Sequence, residues 1–154
     1  MPRSCVGNES ADAPSLPLHL ARLRPPVADR VQIQQAIINL LLNAFDAVAE
    51  EDDNSRHVTL CALAEDSACV RVLVRDSGRG IAPEALPRIF DPFFTTKPGG
   101  LGMGLAISRS IVEAHRGRLS VSSNPDRGTT FEISLPYPTE YSSRSAPKSA
   151  SVAQ

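Results

Sequence analysis

The sequence predicts a layered α/β domain in which two β-hairpins form one sheet and helices cover one face of it. Two strand pairs with alternating apolar residues, at about residues 57–75 and 119–135, indicate the hairpins. Apolar residues at helical spacing in segments 29–50 and 105–115 indicate the helices. We expect the domain to span residues 16–136, between a polar segment 1–15 and a Ser-, Ala- and Pro-rich tail 137–154 that we expect to be disordered.

Composition and charge limit the partners and the location that we expect for this protein. The net charge of -1 gives no support for a nucleic-acid partner or for binding to an anionic membrane. Three cysteines, an odd number, argue against a disulfide framework and favour reduced thiols. No apolar run is long enough to cross a bilayer, and the N-terminus lacks the apolar core of a signal peptide. We therefore expect a cytoplasmic location and no membrane segment in this chain.

The first half of the chain predicts a strand, a helix and a hairpin. Residues 16–23 allow one short strand, and Asp29 is a candidate N-cap for a helix that runs to Glu50. If Glu65–Ser67 forms the turn of the hairpin, one register aligns three apolar pairs. These pairs are Val58 with Val74, Leu60 with Val72, and Ala62 with Val70.

The second half alternates loops with regular elements. A glycine-containing loop precedes a short helix opened by Pro83, and a further loop follows through Phe90–Lys97. The helix at 105–115 is expected to stop at Gly117. The second hairpin then turns at residues 124–128.

The first helix carries a narrow polar stripe. Apolar residues occur almost all round it, which indicates a buried helix, yet six polar residues recur every three or four positions, within an arc of roughly 80°. They are Gln32, Gln35, Asn39, Asn43, Asp46 and Glu50. A solvent-exposed strip explains the ends of the stripe. The two asparagines, one turn apart on an apolar helix, instead favour a ligand such as Mg²⁺, which accepts amide oxygens beside phosphates and water.

Glycine-rich segments form the second group of candidate site residues. Gly99–Gly104 holds four glycines just before a helix, so its N–H groups and the helix N-terminus favour an anion. Lys97 adds a cation suited to phosphate. The segments Asp76–Ile81 and Gly128–Phe131 are, taken alone, ordinary turn and strand-start sequences. The glycine loop alone is equally compatible with a flexible connection.

Together and in this order, the segments resemble the GHKL ATPases, which include gyrase, heat-shock chaperone, histidine kinase and mismatch-repair MutL types, and in particular the catalytic domain of sensor histidine kinases. Asn39–Ala44 resembles the N box, Asp76–Ile81 the first glycine box, Phe90–Lys97 the F box, Gly100–Leu105 the second glycine box and Gly128–Phe131 the last. The F box and residues 107–119 are most similar to nitrogen-regulation and oxygen-sensing sensor kinases. The resemblance covers about residues 29–136 and implies the Bergerat fold, a two-layer sandwich whose mixed β-sheet is covered on one face by about three helices.

The resemblance also implies roles for residues in a site for ATP and Mg²⁺. Asn43 would bind the metal, Asn39 would sit near the triphosphate, and both would be catalytic together with Lys97. Asp76 would accept a hydrogen bond from the adenine amino group, and residues 90–105 would form a mobile lid. The other implied ATP-binding residues are Gly78, Gly80, Ile81, Phe90, Gly100, Leu101, Gly102, Met103, Gly104, Leu105, Thr129 and Thr130.

The implied activity is transfer of the ATP γ-phosphoryl group to a histidine of a dimerisation domain, in a parent protein or in trans, with a response regulator as an indirect partner. In the family, that histidine is followed by an acidic residue. None of His19, His57 and His115 is followed by one. We therefore expect the chain alone not to phosphorylate itself.

Three alternatives stay open on the sequence. A serine kinase of the same fold is disfavoured by the F box and the full lid. A nucleotide-gated clamp needs a water-activating Glu where this chain has Asn39, and an amide cannot act as a general base. A nucleotide-sensing interaction module would bind ATP without transferring phosphate.

Overall fold

The computed structural model describes residues 18–20, 28–65 and 69–137, which form an α/β sandwich with one five-stranded sheet. Its elements are β1 (Leu18–Leu20), α1 (Arg30–Val48), β2 (Val58–Glu65), β3 (Cys69–Asp76), α2 (Gly104–Ala114), β4 (Arg118–Ser123) and β5 (Thr129–Pro136). The strand order is β1-β2-β3-β5-β4, with β1 parallel to β2 and the other neighbours antiparallel. The predicted mixed-sheet sandwich is confirmed. Apart from Tyr137, the ends predicted to be disordered lie outside the described residues.

Helix α1 starts where the sequence predicts. Asp29 is its N-cap, and the side-chain Oδ1 accepts hydrogen bonds from the backbone N–H groups of Val31 and Gln32 at 2.9 and 3.2 Å. Two of the otherwise unpaired donors of the first turn are thereby satisfied. The buried face of the helix consists of Ala36, Leu40, Ala44 and Val48, and it packs against β3 and α2.

The prediction that α1 is buried almost all round is wrong. Val31, Ile38 and Leu42 are 71%, 54% and 56% exposed. At about 100° per residue they lie on the side opposite the buried face. In a two-layer sandwich a helix has the sheet on one side only, so the other side meets solvent. The polar stripe runs along the flank between these two sides.

The first hairpin forms, but the predicted register is wrong by two residues. Leu60 pairs with Val74 rather than with Val72. The reason is that Glu65 pairs with Cys69 and so belongs to the strand, not to the turn. A shift of two residues leaves each side chain on its predicted face, because side chains alternate with a period of two along a strand.

The other predicted elements are present, with one change of type. The second hairpin pairs Leu119 with Ile133, and α2 ends at Ala114. The short helix expected after Pro83 is a single 3-10 turn at Leu86–Arg88. With α1 and α2, this turn makes up the helical layer beside the site.

Helix α2 ends through a left-handed backbone at Arg116, one residue before the predicted Gly117. Arg116 is the residue with positive φ, at 57°, and Gly117 N–H donates to the Val112 carbonyl at 2.9 Å. A Cβ on Gly117 would lie 2.6 Å from the Ser134 carbonyl oxygen, so glycine allows the helix end to approach β5.

The core lies between the sheet and the two α-helices. Leu40, Val74, Val112 and Ile133 are 0% exposed at its centre. Of the helices in the described ranges, none is long and apolar enough to cross a membrane.

Candidate functional site

A cavity of about 980 Å³ opens between the C-terminal half of α1, the loop after β3 and the segment that leads into α2. Asp76, Thr129 and Phe131 line it from the sheet, while Asn43 lines it from α1. Its volume suits a small-molecule site at the upper end of the usual size range. The polar stripe, the first glycine segment and the glycine-rich loop therefore meet at one place.

Asp76 is a buried acceptor at one end of this cavity. It is 3% exposed, and its Oδ1 accepts hydrogen bonds from the backbone N–H groups of Gly78 and Thr129 at 2.9 and 3.2 Å. No donor in the described part of the chain bonds to its Oδ2. Burial raises the pKa of Asp76, and the two backbone hydrogen bonds oppose that rise. Such a fixed oxygen favours a ligand that presents a hydrogen-bond donor.

Two glycines bring separate segments together at Asp76. A Cβ on Gly78 would lie 2.6 Å from the carbonyl carbon of Ala47, near the end of α1. A Cβ on Gly128 would lie 2.7 Å from the carbonyl carbon of Asp76 itself. A larger residue at either position would push α1 or β5 away, so these glycines are required by packing.

The opposite end of the cavity is built from the glycine-rich loop and the start of α2. Phe93 N–H donates to the Gly102 carbonyl at 2.9 Å, which closes residues 93–102 into a loop. Gly102 has φ 67°, and a Cβ there would lie 2.5 Å from the carbonyl carbon of Phe93. No side chain caps the N-terminus of α2. The first backbone N–H groups of α2 are thus free to bind an anion.

Lys97 bridges this loop to α1. Its Nζ donates hydrogen bonds to Oδ1 of Asn43 at 2.8 Å and to Oδ2 of Asp46 at 2.7 Å. Asn43 and Asp46 are three residues apart and so share one face of the helix. An amide oxygen and a carboxylate therefore already hold a cation at this end of the cavity.

These oxygens also fit a magnesium ion that arrives with a phosphate ligand. Within the described ranges, no group of three or more His, Cys, Asp or Glu side chains is placed to hold a metal. A divalent ion beside Asn43 would therefore take most of its ligands from phosphate and water, as Mg²⁺ commonly does.

Most of the predicted site residues line the cavity. They are Asn43, Asp76, Gly80, Ile81, Lys97, Gly100, Leu101, Gly102, Met103, Gly104, Leu105 and Thr129. The remaining four, Asn39, Gly78, Phe90 and Thr130, do not line it. Gly78 acts through its packing against Ala47, as described above.

The other three have different partners. The Asn39 side-chain amide donates to the Ser108 hydroxyl at 3.3 Å, which links α1 to α2. Thr130 Oγ1 donates to Asn124 Oδ1 at 2.6 Å, because Thr130 points to the opposite face of β5 from Thr129. Phe90 packs against the core. The guanidinium carbon of Arg109 lies over the Phe90 ring, 5.4 Å from the ring centroid.

Several cavity residues were not among the individually predicted ATP-binding residues, although Phe94, Thr95 and Thr96 belong to the predicted lid. They are Asp46, Ala47, Arg79, Ala82, Pro83, Ala85, Ile89, Phe94, Thr95, Thr96 and Phe131. Asp46 belongs to the polar stripe, and its three-residue spacing from Asn43 was a usable signal. Phe131 could also have been predicted from the sequence, since strand alternation places it on the same face as Thr129. The apolar wall from Ala82 to Ile89 carries no comparable pattern.

Comparison with known proteins agrees with this geometry. Residues 28–139 match the family model of histidine kinase-, DNA gyrase B- and HSP90-like ATPases. Sensor protein FixL of Bradyrhizobium diazoefficiens is 46% identical over 110 residues, which is 71% of this chain and 21% of FixL. Sensor protein TdiS of Thauera aromatica is 42% identical over 108 residues, 70% of this chain and 20% of TdiS. The chain thus spans about a fifth of the length of these curated relatives.

Solved structures show the same relationship. The mycobacterial sensor histidine kinase MprB superposes with a TM-score of 0.64 at 30% identity, over 72% of this chain and 74% of that chain. Full-length ShkA in complex with AMPPNP gives 0.65 at 31% identity, over 78% of this chain and 26% of that chain. The chain therefore belongs to the histidine kinase-, DNA gyrase B- and HSP90-like ATPase family, as an ATP-binding catalytic domain of the sensor histidine kinase type.

Proposed function

We propose that this domain binds Mg·ATP and transfers its γ-phosphoryl group to a histidine on a dimerisation domain, from which a response regulator receives it. The proposal rests mainly on one cavity that has a buried acceptor, Asp76, at one end and Asn43, Lys97 and the glycine-rich loop at the other. The structure of ShkA with AMPPNP, an ATP analogue, supports a nucleotide as the ligand.

Asp76 would select the base. Its Oδ2 would accept a hydrogen bond from the exocyclic amino group of adenine, against apolar walls that include Ile81 and Phe131. Guanine has a carbonyl at the equivalent position, which would face the carboxylate without a proton between them. An unpaired buried acceptor costs about 1–3 kcal/mol, so the site should discriminate against guanine.

The glycine-rich loop and α1 would hold the triphosphate. Backbone N–H groups of Gly100–Gly104 and the N-terminus of α2 would contact phosphate oxygens, and Lys97 would add a positive charge. Asn43 would be the protein ligand of Mg²⁺, which when bound would neutralise charge on the β- and γ-phosphates. Catalysis by this chain would thus consist of positioning and charge stabilisation.

The small number of carboxylates around the cavity favours transfer of the phosphoryl group over hydrolysis of ATP. Among the described cavity residues these are Asp46, which is paired with Lys97, and Asp76, which lies at the adenine end. Asp76 lies at the end of the cavity away from Asn43 and Lys97, and an amide such as Asn39 cannot act as a base. The nucleophile would instead be an imidazole nitrogen of the acceptor domain. Its bond to the γ-phosphorus forms, the bond to the bridging oxygen breaks, ADP leaves, and the imidazole proton passes to a base of the acceptor domain.

The proposal is tested by label transfer. The chain is incubated with γ-labelled ATP, Mg²⁺ and a separately produced dimerisation segment from a sensor histidine kinase of the same subclass. Label should appear on the histidine of that segment, stable to alkali and lost in acid, and not on the chain alone. Transfer should be slow, because an untethered acceptor lacks the mM-scale effective concentration of a linked one. Asp76→Asn is the inactive control.

Two results would contradict the proposal. Strong self-labelling of the chain would place the acceptor histidine within it. Tight ATP binding with no transfer to any acceptor segment would instead favour the nucleotide-sensing module. Because ATP is the proposed substrate, we propose that the domain works in the cytoplasm.

A further inference from the structure

Lys97 contacts α1 through two hydrogen bonds of its ammonium group. The ammonium lies between an amide oxygen and a carboxylate oxygen, at 2.8 and 2.7 Å. The Lys97 side chain is 33% exposed and that of Asp46 is 61% exposed. Asp46 thus supplies the charge that holds the lysine, while Asn43 supplies a second, uncharged oxygen.

The backbone of Lys97 is held in a tight turn, so its side chain starts from a fixed point. Its N–H donates to Thr95 Oγ1 at 3.1 Å, and its carbonyl accepts from Gly100 N–H at 3.2 Å. A Cβ on Gly100 would lie 2.8 Å from Thr95 Oγ1, so a larger residue would disturb the turn. The loop therefore presents the lysine toward α1 at a defined place.

Lys97 is also the tether of this loop. We call residues 93–102, which the Phe93–Gly102 hydrogen bond closes, the lid loop. Across the described residues, the only hydrogen bonds between the lid loop and α1 are the two made by Lys97. Loss of these bonds would leave the loop without a hydrogen bond to the helix.

The bound lysine and a bound metal would compete. A Mg²⁺ ion ligated by Asn43 would lie about 2.1 Å from Oδ1. The ammonium is 2.8 Å from the same oxygen, so the two cations would be at most about 5 Å apart. Like charges at that distance repel each other in a partly buried site.

We infer that Asp46 is a positioning residue, which holds the Lys97 ammonium on Asn43 so that the lid loop stays fixed to α1 until Mg²⁺ and nucleotide displace the lysine. The inference rests on the proposed ATP site. It adds a coupling that the site alone does not require: arrival of the metal at Asn43 releases the lid loop and frees Lys97 for the phosphates.

The tether is tested without nucleotide or metal, by hydrogen exchange across residues 95–102. Asp46→Asn and Lys97→Met should each accelerate exchange about two- to fivefold, the range for an exposed ion pair. Asp46→Glu keeps the charge and should exchange like the wild type. Unchanged exchange in Asp46→Asn would overturn the tether.

The competition is tested by calorimetric titration with ADP, which has no γ-phosphate for the freed lysine to contact. With Mg²⁺, Asp46→Asn should bind ADP about two- to fivefold tighter than the wild type, and in EDTA the change should be less than about twofold. In a Lys97→Met background, Asp46→Asn should have no further effect, because Asp46 acts only through the lysine.

The results that would contradict the inference differ from those that would contradict the proposed function. Weaker Mg·ADP binding by Asp46→Asn, or the same effect in the Lys97→Met background, would show that Asp46 serves the metal directly and would overturn the inference. A wild type that binds no ADP at all would contradict the proposed function and the competition together. Normal ADP binding without coupling between positions 46 and 97 would contradict the inference alone.

Discussion

Gly128 passes so close to Asp76 that a Cβ on the glycine would lie 2.7 Å from the carbonyl carbon and 2.9 Å from Oδ1 of the aspartate. The φ of Gly128 is 86°, a conformation that strains any residue with a Cβ. The start of β5 and the end of β3 are therefore pressed together at the Asp76 end of the cavity.

We expect Gly128→Ala to lower the free energy of unfolding by at least about 2 kcal/mol, since it adds a steric clash to the strain of positive φ. Urea unfolding measures this change. Gly99→Ala is the matched control: its φ is 74°, but a Cβ there meets nothing within 4 Å. Equal losses of unfolding free energy in the two variants would show that the close contact with Asp76 does not affect stability.

Asn43→Ala should weaken nucleotide binding mainly when metal is present. If Asn43 is the protein ligand of Mg²⁺, its loss should reduce affinity for Mg·ADP about tenfold or more and change affinity for ADP in EDTA much less. Calorimetric titrations in the two buffers, with melting curves alongside, measure both effects. A loss of thermal stability with no metal-dependent change in affinity would mean that Asn43 serves packing alone.

The raised pKa of Asp76 predicts a pH dependence of stability. Burial moves the pKa of the folded state above the ordinary value of 3.8, so the ionised carboxylate is disfavoured by folding. Its contribution to stability is full below pH 3.8 and is lost as pH rises through the raised folded value. Asp76→Asn keeps the shape and removes the titration. The stability of the variant minus that of the wild type should therefore increase as pH rises from 3 toward 7, in roughly the window set by these two values. A difference that is constant with pH would contradict the shift.

Asn39 offers a test between two roles. Its side-chain amide donates a hydrogen bond to the Ser108 hydroxyl. Ser108 is 0% exposed, and its hydroxyl donates in turn to the Gly104 carbonyl at 2.9 Å. We expect Asn39→Ala to cost about 0.5–1.5 kcal/mol of stability and to change Mg·ADP affinity less than about twofold. Ser108→Ala and the double variant complete a cycle, in which the two losses should not add. A large loss of nucleotide affinity would support the triphosphate role that the family resemblance implies.

The sequence alone locates the polar residues of the site because they lie beside strong local signals. Asn43 occurs at helical spacing on an apolar helix, and Asp76 stands directly between a strand and a glycine turn. Such patterns depend on neighbours within a few positions. They determine the face of the element on which a side chain lies, which is why the hairpin faces are correct although the register is not.

Long-range partners have no such local signal. Lys97 reaches Asn43 across 54 positions, and Asn39 reaches Ser108 across 69. Gly128 meets Asp76 only because β5 lies next to β3, a strand order that local periodicity does not specify. The exposed side of α1 was missed for a related reason, since apolar composition does not state how many layers cover a helix.

The central claim is that this cavity binds an adenine nucleotide through Asp76, and calorimetric titration of the chain with ATP and GTP in the presence of Mg²⁺ tests it most directly. The wild type should bind ATP at least about tenfold tighter than GTP. Asp76→Asn, which retains the hydrogen bonds from Gly78 and Thr129 through its amide oxygen, should lose most of that preference. Equal affinities of the wild type for ATP and GTP, or unchanged ATP binding by Asp76→Asn, would contradict the claim.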